Sequence, residues 1–340
     1  MLAAYCDVKN AEKVKQFLIS KNVMHFNYLP LREMNLIYFP ITKKVRVPNA
    51  KVVNTKFSFT KKEGTKTIES VLKGKLTLNQ LKTLPKSQEL VGSIMILEVP
   101  DSLEKKEKII AEAYLQLNKH ITTVVKKTKM HSGVYRTRKV KILAGKRTKE
   151  TVHRENGISL KLHLEKVYYS ARSAGERLRI AKLVKKGENV LVMFSGCGPF
   201  PLVIARNSPV KHVWGIELNP AGHIYAVENV AANKLNDTIS VRDGDVRTIV
   251  PKMKKKFDRI VMPLPKTSEA FLYVALPKVK KGGWIHLYAF LDEKDIMSEA
   301  KRVKKICSDL GYNVRMVRKV KCGQFSPGTF RVCFDMKRLK

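Results

Sequence analysis

A pair of glycines followed by a carboxylate is the most chemically suggestive pattern in this chain. Segment 189–200 reads NVLVMFSGCGPF, an apolar run that ends at Gly196 and Gly198 and leads into a helical stretch. Glycine lacks a Cβ, so backbone there can approach a ligand closely. The next apolar run ends at Glu217, about 20 residues on, where a carboxylate can accept from both hydroxyls of a ribose. Asp245 follows the third run and is placed to accept from an adenine amino group. The third glycine of the dinucleotide pattern is missing, and Pro199 and Phe200 would crowd a pyrophosphate. The turn therefore suits a phosphate-free adenosine ligand such as S-adenosylmethionine better than NAD.

The elements that must hold these residues alternate. Strand candidates at 189–193, 212–216, 239–242, 259–262 and 284–289 are separated by helical stretches, which implies a parallel sheet with crossover helices. Asn219 and Pro220 start the helix after Glu217. After a helix at 293–310, strands at 314–321 and 329–336 follow each other directly and predict a closing antiparallel hairpin. That arrangement is found in S-adenosylmethionine methyltransferases. The fold class expected is α/β, with a Rossmann-type (class I) methyltransferase domain at 165–340 preceded by two smaller α+β domains.

The first of these covers 1–60, with strands at 3–8, 36–40 and 52–59 and a helix at 11–21 that carries Val14, Phe17 and Leu18 at helical spacing. A charged linker at 60–66 leads to the second, at 67–164. Two short helices precede Pro85, and VGSIMILEV at 91–99 reads as one buried strand. A helix is expected at 102–118, with Ser102 as its N-cap. Short strands follow at 121–125, 133–135, 140–144, 151–154 and 158–164, dense in Lys and Arg.

Charge narrows the range of partners. The 340 residues hold 67 Lys and Arg against 29 Asp and Glu, a formal net charge of +38. Such an excess points to a polyanion, because every phosphate contact releases condensed counterions. No apolar run approaches the ~18 residues of a membrane span, and no basic and apolar leader opens the chain. The five cysteines are scattered and never spaced as C-x-x-C, which argues against zinc and for reduced cytoplasmic thiols. Cys322 and Cys333 could face each other across the last hairpin. A cytoplasmic nucleic-acid-binding protein is expected, without a membrane, a metal or an obligate protein partner.

Several runs together carry a resemblance. VYYSARSAGER at 167–177, MFSGCGPF at 193–200, ELNP at 217–220, Asn229 with Asn233 and Lys234, GDVR at 244–247 and GGWIH at 282–286 resemble the archaeal and eukaryotic tRNA (guanine-37-N1)-methyltransferase family. The similarity spans nearly the whole chain and is strongest from Arg138 onward. It implies that the small N-terminal domain contacts the outer corner of tRNA and that the rest holds the anticodon loop and S-adenosylmethionine. Guanine N1 carries a proton and is a poor nucleophile while neutral, so its methylation needs a base and a positive group for charge growing on O6. The resemblance places the base at Glu176, just ahead of a helix, and the cation at Arg138. It places Tyr168, Arg172, Phe194 and Pro263 around the cofactor, together with Gly196, Gly198, Glu217 and Asp245.

The chain departs from the family at 262–265, MPLP, where the family has Asn-Leu-Pro. Pro263 cannot supply the amide that positions the target base. Ala171 also stands where the family commonly has proline. Three alternatives stay open beside N1-methylation of guanosine 37. Relatives in wyosine synthesis methylate C7 of 4-demethylwyosine at the same position, or transfer an aminocarboxypropyl group to it. A non-catalytic RNA-binding protein with a relic Rossmann domain is the third.

Overall fold

The computed structural model describes residues 1–61, 66–85, 88–264 and 266–339. It comprises two compact units, Met1–Val71 and Leu72–Lys340. Most of the linker expected at 60–66 lies outside the described residues, as does Pro265.

In the first unit, β1 (Leu2–Asp7), β2 (Leu31–Glu33), β3 (Leu36–Pro40) and β4 (Lys51–Asn54) form an antiparallel sheet ordered β2-β3-β1-β4. Helix α1 (Ala11–Ser20) lays Val14 and Leu18 on Ala4, Cys6 and Phe39. The strand expected at 52–59 pairs only as far as Asn54. Strand β2 went unread because its three residues show no apolar alternation.

Helix α2 (Ile68–Leu72) lies at the junction, and α3 (Leu78–Lys82) is closed by a capping box between Thr77 and Gln80. Next comes a four-stranded sheet of β5 (Gln88–Val91), β6 (Ile94–Leu97), β7 (Thr123–Ser132) and β8 (Thr137–Gly145). The single strand read at 91–99 is thus a hairpin. Gly92 has φ +56°, and a Cβ there would meet Thr151 Oγ1 at 2.3 Å and the Val152 carbonyl oxygen at 2.4 Å. The strand read at 133–135 is instead the β7–β8 turn, where Gly133 and Arg136 both take positive φ. The helix read at 102–118 opens as a 3-10 turn over Asp101–Lys106, and α4 proper spans Glu107–Leu117. Leu103, fully buried, donates its N–H to Pro100 and holds that tighter turn, so Ser102 is not a cap.

Strands β9 (Glu150–Glu155) and β10 (Ile158–His163) make a separate hairpin around Asn156-Gly157, both with positive φ as a two-residue turn requires. After α5 (Ala174–Leu183) come β11 (Asn189–Met193), α6 (Pro199–Asn207), β12 (His212–Glu217), α7 (Pro220–Ala232), β13 (Ile239–Asp243), α8 (Val246–Lys252), β14 (Phe257–Met262), α9 (Leu272–Ala275), β15 (Val279–Asp292), α10 (Ile296–Asp309), β16 (Val314–Ser326) and β17 (Thr329–Arg338). The seven strands order as β13-β12-β11-β14-β15-β17-β16. The first five run parallel, and β17 and β16 are antiparallel additions. The closing hairpin holds as read, and all five cysteines are free thiols.

Two details link this fold to the site. Chain direction across the sheet reverses between β11 and β14, and open α/β sheets bind ligands in the crevice beyond the strand ends at that reversal. On α7, Asn229 and Asn233 act as a substitute strand for β10. Asn229 accepts from Lys161 N (2.7 Å) and donates to its carbonyl oxygen (2.9 Å), and Asn233 does the same with Ser159 (2.9 and 2.7 Å). Asn229 also donates to the Cys197 carbonyl oxygen (3.0 Å), which ties the glycine turn to this hairpin. Among the described residues no helix is long and apolar enough to cross a membrane.

Candidate active site

The turn after β11 is a strained piece of backbone. Phe194 has φ +59°, Gly196 +58° and Gly198 +91°, so the chain folds back above the sheet before α6 begins. Gly196 donates its N–H to Glu217 Oε2 at 2.6 Å, and Asn219 N–H donates to Oε1 at 2.9 Å. Two backbone donors therefore aim the carboxylate, and each oxygen keeps a lone pair for another donor. Burial pushes the Glu217 carboxyl above its usual range, and these two N–H groups oppose that shift. Gly222 is required beneath it, since a Cβ there would meet Glu217 Cγ at 3.0 Å. A cleft of about 550 Å³ opens beside Glu217, walled by Tyr168, Gly196, Pro263 and the edge-to-face pair Phe194–Phe271.

A second, narrower cavity of about 60 Å³ shares Tyr168, Phe194, Gly196 and Pro263 with that cleft and has Glu176 and Tyr288 in its wall. Glu176 lies inside the first turn of α5 and not ahead of it, and is 6% exposed. Its Oε1 accepts from Tyr288 O–H (2.6 Å) and Arg179 Nη2 (2.8 Å), and its Oε2 from Arg179 Nε (2.7 Å). Arg179 donates its other edge to Asp335, at 2.7 and 3.1 Å. Beyond Asp335, His286 Nδ1 lies 2.6 Å from Oδ1, and Arg259 Nη1 lies 2.6 Å from His286 Nε2. Arg259 donates in turn to Glu188 (2.9 Å) and to the Leu183 carbonyl oxygen (2.7 Å). A guanidinium only donates, so Nε2 is the acceptor and Nδ1 carries the proton toward Asp335.

Three carboxyl groups and two guanidiniums thus alternate through the sheet, with Glu176 at the cavity end. Burial alone would raise the Asp335 carboxyl, but the hydrogen bonds from His286 and Arg179 outweigh it and hold the group far below the usual range. Burial keeps His286 below its ordinary value and pushes the Tyr288 phenol well above its own, so Tyr288 stays a donor. His286, Cys333 and Asp335 come together closely enough to suggest a metal, yet both ring nitrogens are engaged and two guanidiniums stand beside them, a poor setting for a cation.

Arg138, 4% exposed, lines a third cavity of about 420 Å³ with Tyr168, Arg172 and Arg331. It forms a fork with Glu89 (2.9 and 3.2 Å) and donates to the Tyr169 carbonyl oxygen (3.3 Å), using three of its five N–H groups. Burial would raise the Glu89 carboxyl, but Arg138 beside it holds it below the usual range.

The structure gathers most of the residues singled out from sequence into these three adjoining cavities. Gly198 and Asp245 stand apart. Gly198 caps α6, and a Cβ there would meet Leu202 and Ala226. Asp245 caps α8, accepting from Arg247 N–H at 2.8 Å, and is ion-paired to the Arg247 side chain. Sequence reading missed Arg179, Asp335, His286, Tyr288 and Glu89. Arg179 sits at i+3 from Glu176 on a helix, a spacing that predicts a pair. Asp335, between Phe334 and Met336 in a closing strand, was a polar residue at a core position.

The seven-stranded order, the glycine turn and the carboxylate that ends β12 define a class I methyltransferase fold. Residues 151–315 match the TRM5/TYW2 methyltransferase domain, 68–148 the TYW2 N-terminal domain and 7–49 the tRNA methyltransferase 5 N-terminal domain. The chain is 32% identical over 337 residues to the tRNA (guanine(37)-N(1))-methyltransferase Trm5b of Pyrococcus abyssi, covering 99% of this chain and 98% of that protein. It is 33% identical over 250 residues to the tRNA 4-demethylwyosine(37)-methyltransferase Taw21 of Saccharolobus solfataricus, covering 73% and 92%. The crystal structure of P. abyssi Trm5b aligns over the full length of both chains with a TM-score of 0.76 at 31% identity. The complex of aTrm5 with tRNALeu also aligns in full, at 0.71 and 28%. Methanocaldococcus jannaschii TYW2 in complex with AdoMet reaches 0.58 at 26%, covering 75% of this chain and all of that one. The chain belongs to the TRM5/TYW2 methyltransferase family.

Proposed function

We propose that this enzyme transfers the methyl group of S-adenosylmethionine to N1 of guanosine 37 of tRNA, with Glu176 taking the N1 proton and Arg138 meeting the charge on O6. The observation that carries this reading is that Glu176 opens into a cavity sharing four wall residues with the cleft beside Glu217. A base and a nucleoside-sized site therefore adjoin. The full-length similarity to an enzyme named for guanine 37 supports the choice of substrate. The first unit docks the outer corner of tRNA, and the basic cleft around Arg138 and Arg172 takes the anticodon loop. A formal charge of +38 suits both contacts.

The residues fit S-adenosylmethionine. Glu217 retains lone pairs for a ribose diol, Phe194, Phe271 and Pro263 supply an apolar wall, and a Cβ at Gly196 would meet only the Tyr168 carbonyl oxygen, at 3.7 Å. The cofactor supplies an electrophilic methyl group on a sulfonium. Glu176 is oriented for proton removal by Arg179 and Tyr288. When it gains the proton, Asp335 still holds Arg179 by two hydrogen bonds, so the guanidinium is not left without a carboxylate partner. Arg138 keeps two N–H groups beyond those that hold Glu89 and the Tyr169 carbonyl oxygen, and it meets O6 with them from a buried setting that excludes competing water. Glu217→Ala is expected to weaken S-adenosylmethionine binding by about 1.5–3 kcal/mol, the scale of hydrogen bonds to a charged group. Unchanged affinity by calorimetry in the folded variant would remove Glu217 from the site.

One observation favours a second reading. Pro263 lines both the Glu176 cavity and the cofactor cleft, and it offers no side-chain amide to a guanine edge. A flat apolar wall suits the larger tricyclic 4-demethylwyosine, and Taw21 is named for that base. Offering tRNA with guanosine at position 37 beside tRNA with 4-demethylwyosine there separates the two. Methylation of the first is expected, with Pro263→Asn preserving or raising the rate. Methylation of the second alone would establish the alternative.

A further inference from the structure

The cleft beside Arg138 holds a feature that neither cofactor binding nor proton removal uses. Phe290 on β15 and Phe325 on β16 are stacked, with centroids 4.1 Å apart and planes at 29°, although β17 runs between their strands. Register shifts fall at Lys321/Gln324 and at Gln324/Ser326, the second spanning Phe325, and such bulges re-aim a side chain. The strand between them presents Arg331, the register partner of Phe290, whose guanidinium lies 5.6 Å from the Phe290 ring. Arg136 lies 5.8 Å from the same ring and 5.2 Å from Tyr168. Phe325 is 48% exposed, a large apolar ring half open to solvent in the wall of a basic cleft. The acidic members of that cleft are already paired, Glu89 with Arg138 and Glu98 with Lys127.

Rings alternating with guanidiniums are what unstacked bases of a single-stranded loop bind: the rings take the bases and the cations take the phosphates. A protein partner would gain little from so concentrated a cation set. The cleft also shares Tyr168, Tyr169, Ser170 and Arg331 with the Glu176 cavity, so a base on Phe325 would be a near neighbour of one at Glu176. We propose that the Phe290–Phe325 stack is a docking platform for a nucleobase flanking the target in the anticodon loop, with Arg331 and Arg136 holding the connecting backbone. This rests on the tRNA reading above.

The test uses the full-length protein and two full-length tRNAs, one with 2-aminopurine just before position 37 and one just after it. With the wild type, stacking should quench the fluorescence of one of them. Phe325→Ala should abolish that quench and weaken tRNA binding roughly 5- to 150-fold, the worth of one stacked base. Phe325→Trp should retain both, and calorimetry should show the same S-adenosylmethionine affinity in all three proteins. Equal binding and equal fluorescence in wild type and Phe325→Ala at both positions would overturn the platform. Failure of the wild type to bind either tRNA would contradict the tRNA reading itself, and the platform with it.

Discussion

Glu176→Gln is expected to fold, to bind S-adenosylmethionine and tRNA as the wild type does, and to lose about 10²–10⁴-fold in single-turnover methyl transfer, the usual contribution of a general base. The substitution is nearly isosteric, and the amide oxygen can still accept from Tyr288 or from one nitrogen of Arg179. Arg179 remains anchored on Asp335, so the cavity keeps its wall. What is lost is the group that takes the N1 proton. A rate within a few-fold of wild type would show that the proton leaves by another route and that Glu176 is only a helix-end partner for Arg179.

The second large effect is on stability. Asp335→Ala removes a carboxylate with 2% side-chain exposure that accepts from both Arg179 and His286. Breaking one side of a buried pair leaves the other uncompensated and costs about 3–5 kcal/mol. Urea unfolding at neutral pH should show that deficit. Its pH dependence has a definite sign. The folded-state carboxyl is depressed, so its contribution is fully present above the unfolded-state value of about 3.9 and fades as pH falls through the folded one. The gap between wild type and variant should therefore be flat from pH 7 down to about 5 and narrow below about 4. Turnover should fall as well, because Arg179 then orients Glu176 without its own anchor. A variant as stable as the wild type at neutral pH would mean that the buried chain is not a coupled unit.

What could be read from the chain divides along sequence distance. The β11 turn, Glu217 and the order of the parallel strands are encoded locally, by an apolar run followed by glycine and by strand–helix alternation. The closing hairpin was legible for the same reason. The hairpin at Gly92 was not, because its positive φ is matched to Thr151 and Val152, far along the chain. Ser102 resembled a cap, but the position of fully buried Leu103 decided the local geometry. Glu176 and Arg138 came from resemblance, and their partners were invisible. Tyr288 is 112 residues from Glu176, Asp335 is 156 from Arg179, and Glu89 is 49 from Arg138. Asp245 stands out in the sequence by its place after β13, whereas its pairing with Arg247, two residues away, does not.

The most direct test is nucleoside mass spectrometry of tRNA carrying unmodified guanosine at position 37, after incubation with the enzyme and S-adenosylmethionine. On the N1-methylation reading, the product is 1-methylguanosine at that position and nowhere else, and it is absent when Glu176→Gln replaces the wild type over the same short incubation. An unmodified position 37, or a methyl group on a different atom or nucleotide, would contradict it.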